Sequence, residues 1–168
     1  MLTVKTDPRI IFSEEVAKKN EAIVEPCMRR LEALAEGMDR ISEVRTAMDL
    51  VSRQMPEKET EEIKKLKGIT RITTDSVKAL TKNLEAESTI KGLYRNPDLI
   101  NSDLYRLRSV MNYREPVSAT QMLILKQVSV KVEKAIGGIN AFFDNEWKTY
   151  RKAVEARLSP FKDYEPLR

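Results

Sequence analysis

Residues 24–55, VEPCMRRLEALAEGMDRISEVRTAMDLVSRQM, carry apolar side chains at Val24, Cys27, Leu31, Leu34, Met38, Ile41, Met48, Val51 and Met55. Steps of three and four recur, with one turn where Val44 and Arg45 share the seam. That period lays one apolar stripe along one side of a long α-helix, in a heptad pattern. The helix is expected to open at Ser13, whose hydroxyl can cap free amides while Glu14 and Glu15 favour the positive helix end. Pro26 removes one backbone bond and predicts a bend near residues 22–26. Met55-Pro56 ends the run. Acid-to-base pairs at i,i+4 decorate the outside: Glu14–Lys18, Glu15–Lys19, Glu25–Arg29, Glu36–Arg40, Asp49–Arg53 and, further on, Glu61–Lys65. Each adds about 0.2–0.5 kcal/mol, so they tune solubility more than they decide the fold.

The same period continues outward along the chain. A second helix is expected from about Glu57 to Glu87, with its stripe at Ile63, Leu66, Thr70, Thr73, Val77, Leu80 and Leu84. Its threonines and Gly68 weaken its middle by propensity. Residues 88–117, with Gly92, Pro97 and Pro116, are the least helical stretch. Within them Ser102 can cap a short helix from Asp103 to about Asn112, with Leu104, Leu107 and Met111 inward. A third long helix opens on Ser118-Ala-Thr-Gln121, a capping box. Its stripe is Met122, Leu125, Val132, Ile136, Ile139, Phe143, Trp147, Tyr150 and Val154, and Ser159-Pro160 ends it. Helices one and three, at about 40 residues each, would span roughly 60 Å. The expected fold is all-α: an up-down-up bundle of three long antiparallel helices, plus one short helix between the second and third. Leu34, Met38, Ile41, Leu80, Leu125, Val132, Ile136 and Ile139 are the expected core.

Residues 1–12 read differently. Leu2-Thr-Val-Lys5 alternates like a strand and stops at Asp7-Pro8. A lone strand has no partner for its backbone, so the simplest reading is the end of a preceding β domain and a linker, with the bundle domain at 13–168.

Composition agrees with helices washed by solvent: 33% charged, 41% hydrophobic and five glycines among 168 residues. Thirty basic and 26 acidic residues are interspersed for a net +4, unlike the clustered basic face that binds nucleic acid. No apolar run approaches the roughly 20 residues of a membrane span, and the first dozen do not read as a signal peptide. Cys27 is the lone cysteine. It lies on the stripe and reads as a small core residue rather than a reactive thiol.

Chemistry is sparse. The chain has no histidine, which removes the commonest general base, the usual zinc ligand and every Ser-His or Cys-His pair. No glycine-rich phosphate loop occurs. Carboxylate pairs such as Glu32/Glu36 share a helix face but lack the dry cleft that acid–base work needs. No catalytic, cofactor-binding or metal-binding residue is therefore expected. One group invites a second reading. Phe142, Phe143, Trp147 and Tyr150 suit core packing, yet Trp and Tyr are also favoured anchors at interfaces. The candidate docking surface is Phe142, Trp147, Tyr150, Phe161 and Tyr164. The last two sit in an aromatic tail expected to fold back on its end of the bundle.

Several segments, taken in order, resemble one family, the bacterial sortilin-like BNR-repeat proteins. They are the strand leading into Asp7-Pro8-Arg9, the segment Arg95-Asn-Pro-Asp-Leu-Ile-Asn-Ser-Asp-Leu-Tyr-Arg-Leu107, and Ile139-Asn-Ala-Phe-Phe-Asp-Asn-Glu-Trp147 with Tyr150 and Val154, closing on Ser159-Pro-Phe-Lys-Asp163. That family is grouped with glycosyl hydrolases through a sialidase-like β-propeller. The resemblance implies a C-terminal helical module of an exported protein, with upstream β domains as its intramolecular partners. Any hydrolytic residues would lie in the propeller. Two other readings stand beside it. One is a self-standing coiled-coil adaptor or chaperone that oligomerises through leftover stripe residues. The other, a peripheral membrane-binding bundle, is disfavoured by the acid–base alternation.

Overall fold

A computed structural model describes residues 13–56, 60–82, 84, 99, 100, 103 and 115–156. Among them the chain is all-helical. Helix α1 spans Glu14–Gln54, α2 spans Glu61–Thr81 and α3 spans Ala119–Phe142. A π-helical turn, Phe143–Trp147, joins α3 directly to α4, Lys148–Glu155. The expected strand and linker, the short helix beyond Asp103 and the aromatic tail lie outside the described residues.

The helix ends follow from local chemistry. Ser13 Oγ accepts from the Val16 N–H at 3.3 Å, as an N-cap should. The capping box forms in full: Ser118 Oγ accepts from the Gln121 N–H at 3.3 Å, and Gln121 Oε1 from the Ser118 N–H at 2.8 Å. Helix α2 begins at Glu61, later than the expected Glu57. The reason is Thr60, whose extended backbone and side chain, accepting from the Ile63 N–H, make it the cap. Pro26 lies inside α1 without ending it. The π turn was not expected from the sequence. Its widened ladder is supported by side chains: Asn145 Nδ2 donates to Ala141 O at 2.9 Å, and Thr149 Oγ1 to Asn145 O at 2.9 Å.

The described chain falls into two compact units, with boundaries inside α1 at Ala35/Glu36 and inside α3 at Ala135/Ile136. In unit 1, Val24, Cys27, Leu34, Ile100, Leu125, Val128 and Val132 are buried. Asn20, only 2% exposed, donates through Nδ2 to Glu115 O at 2.7 Å and accepts at Oδ1 from the Val117 N–H at 3.2 Å. It thus satisfies a donor and an acceptor of the segment entering α3. Arg30 pairs with Glu133 at 2.8 Å, and Lys131 with the buried Asp103 at 2.6 Å.

In unit 2 the interior holds Ile41, Val44, Met48, Ile63, Leu66, Val77, Ile139, Phe142, Tyr150 and Ala153. The buried threonines return their hydroxyl protons to their own helix: Thr73 to Ile69 O at 3.0 Å and Thr81 to Val77 O at 3.2 Å. Thr81 Oγ1 also accepts from Arg45 Nη2 at 2.7 Å. Gly138 lets Leu80 approach, since a Cβ there would meet Leu80 Cδ2 at 3.2 Å. Of the expected core, Leu34, Ile41, Leu125, Val132 and Ile139 are buried, while Met38, Leu80 and Ile136 are half-buried.

Candidate functional site

The aromatic docking face expected from the sequence is distributed otherwise in the structure. Phe142 and Tyr150 are 3% and 2% exposed, so both rings belong to the interior of unit 2. Trp147 is half-buried and stacks on Tyr150, with centroids 5.4 Å apart and planes 18° from parallel. Phe143 is half-buried against the edge of Phe142 at 5.4 Å and 74°. Phe161 and Tyr164 lie outside the described residues. The physical reason is the π turn. Inserting a residue into the ladder rephases the helix, so that Phe142 before it and Tyr150 after it both turn inward.

Tyr150 carries the one unsatisfied buried side-chain polar atom among the described residues, its hydroxyl. Burial pushes its pKa above the ordinary value; Thr70 lies close enough to lower it in part, without reaching hydrogen-bond geometry. The Thr70 hydroxyl proton is engaged elsewhere, donating to Leu66 O at 2.8 Å.

One concavity of unit 2 lies where α1 ends beside α2. It has a volume of about 510 Å³ and is lined by Ser52 from α1, by Met55 and Pro56 just beyond its end, and by Lys67, Thr70, Arg71, Thr74, Asp75 and Lys78 from α2. A second hollow of about 340 Å³ shares Thr74 and Lys78 and adds Arg45, Met48, Asp49 and Val77. The α2 residues stand at i, i+3, i+4, i+7, i+8 and i+11, a single stripe beside the buried one. The cations at 67, 71 and 78 recur along that stripe.

Cys27 is buried. No group of three or more His, Cys, Asp or Glu among the described residues is placed to hold a metal ion. No described helix is long and apolar enough to cross a membrane. Comparison with protein-family models, with curated proteins and with solved structures finds no match.

Proposed function

We propose that this chain is a non-catalytic structural and interaction module at the C-terminus of a larger exported BNR-repeat β-propeller protein. The observation that carries the reading is how interior polar groups are used. Asn20 holds the backbone at Glu115 and Val117, Arg45 holds Thr81, and Lys131 holds Asp103. Each is a tie between chain segments rather than a group presented to a substrate. The ordered resemblance along the chain supplies the identity of the parent.

In this reading the long helices make an up-down-up bundle. Within unit 2, Arg45 meets Thr81 while Ser52 and Thr70 line one groove, so numbering rises along α1 as it falls along α2. Gly138 beside Leu80 and Tyr150 beside Thr70 give α2 the same opposed relation to the last helix. The test is the size of the native polypeptide in its source cells, read by immunoblot with an antibody to this chain. A band far above 19.3 kDa is expected; a native chain of 19.3 kDa overturns the proposal, as does glycosidase activity in the purified chain.

One observation favours a second reading, an oligomerising coiled-coil adaptor or chaperone. Leu123 and Val130, seven residues apart on α3, are 56% and 57% exposed, the spacing of a heptad seam. Sedimentation of Leu123→Lys/Val130→Lys against the parent chain decides it. A parent oligomer that becomes monomeric in the variant supports this reading, and a monomeric parent removes it.

A further inference from the structure

Two apolar patterns overlap between Ile139 and Val154, offset from one another by one residue. In the structure Ile139, Phe142, Tyr150 and Ala153 are buried, at successive gaps of three, eight and three. Two α-helical turns take about 7.2 residues. The gap of eight therefore fits one face only because the π turn, Phe143–Trp147, takes in an extra residue. The residues that follow Phe142 and Ala153 in the chain are also apolar. They are Phe143 and Val154, and both are half-buried. Combined with Ile139 and Tyr150 they give gaps of four, seven and four, which an unbroken α-helix places on one face, with Trp147 at its edge. The chain thus offers a phenylalanine to each of two registers.

The register seen in the structure has terms on both sides. It buries Phe142 and Ala153. Against that, no residue of the π turn is buried, and the backbone bond that closes it, from the Lys148 N–H to Asn145 O, is an i to i−3 bond. The widened ladder leans on the side chains of Asn145 and Thr149, which donate to Ala141 O and Asn145 O. Tyr150 is carried inside with its hydroxyl unpartnered, an unfavourable state for a buried donor. The unbroken register regains a regular ladder and exchanges Phe142 for Phe143 and Ala153 for the larger Val154. Opposed terms of this kind, acting on two packings of one segment, make a bistable element. Expelling the extra residue turns α4 by about 100° relative to the end of α3. Every element involved lies in unit 2, where α4 packs on α2, and the turn re-aims Trp147, which is stacked on Tyr150.

We infer that Phe142–Val154 is a two-register switch, in which the π turn is taken in or expelled and the aromatic face around Trp147 is re-seated on unit 2. The test is NMR relaxation dispersion on the full chain, read at the indole N–H of Trp147, the one tryptophan of the sequence, and at the backbone amides of residues 143–154. Exchange on the microsecond-to-millisecond scale is expected, with one rate shared by all these signals and a second population on the order of 1–10%. Removing Asn145 by deletion sets Phe142 and Tyr150 seven residues apart without a π turn, so its dispersion should be flat. Phe142→Ala takes the anchor from the observed register and should raise the second population about tenfold or more. Phe143→Ala takes the anchor from the other register only, and should abolish the exchange while circular dichroism matches the parent. Flat dispersion in the parent chain overturns the inference, as does exchange that persists unchanged in Phe143→Ala. The Phe143→Ala result decides the matter even where Phe142→Ala or the deletion fails to fold.

Discussion

Asn20 shows what a single polar residue does inside this fold. It occupies a stripe position, four residues before Val24 and seven before Cys27, where an apolar side chain is the rule. Its amide instead satisfies the backbone at Glu115 and Val117. Asn20→Ala leaves a buried carbonyl and a buried N–H without partners, so a loss of about 1–3 kcal/mol is expected, read from the denaturant midpoint. Tyr150 is the opposite case, a buried hydroxyl with no partner. Tyr150→Phe removes a desolvated polar atom at nearly constant shape and should be neutral or stabilising. Its pH dependence has a definite sign. Burial raises the phenol above its ordinary value of about 10. The stability linked to it is complete below about pH 10 and is lost as pH rises through the higher folded value. The parent chain should thus lose stability on that alkaline limb faster than Tyr150→Phe; parallel melting curves across it would refute the assignment.

Helix-level structure was legible where side-chain chemistry is local. The α1 stripe, the Ser13 cap and the Ser118/Gln121 box all depend on residues within a turn of one another, and all appear. The start of α2 is set by Thr60, and a threonine three residues before Ile63 is the local signal for it. The π turn was illegible for a physical reason, since the ladder widens only to bring Phe142 and Tyr150 inward together, a demand made by packing. Gly137 and Gly138 separate propensity from packing within α3. A Cβ at Gly137 meets nothing within 4 Å, whereas at Gly138 it meets Leu80 Cδ2 at 3.2 Å. Gly137→Ala should raise stability by about 0.5–1 kcal/mol through propensity alone. Gly138→Ala should gain less or lose, because Leu80 must shift to admit the methyl group. Equal gains would show that Leu80 moves freely.

At the scale of the whole molecule, the question is which electrostatic interactions hold anything together. The i,i+4 pairs are exposed on both partners, as at Lys18 and Glu14, with side chains 72% and 74% accessible. Such pairs contribute about 0–1 kcal/mol each and are screened by salt. The net charge is only +4, and the stability lies in the apolar interiors of the two units. The Lys131–Asp103 pair differs, because its carboxylate is only 8% accessible while the ammonium, at 40%, still reaches solvent. Screening acts through the solvent, so it should weaken the exposed pairs and largely spare this one. Raising salt from about 0.05 M to about 1 M should move the melting midpoint of the parent chain by only a few degrees. Asp103→Ala removes the partner of a half-buried lysine together with a charge-assisted hydrogen bond, and should cost about 1–3 kcal/mol. The informative quantity is the difference between parent and variant at each ionic strength. It should persist undiminished in high salt, whereas the corresponding difference for Glu36→Ala, which opens an exposed pair, should vanish. A penalty for Asp103→Ala that fades with salt as fast as that of Glu36→Ala would place Asp103 at the surface and remove its tie to Lys131 from the account of unit 1.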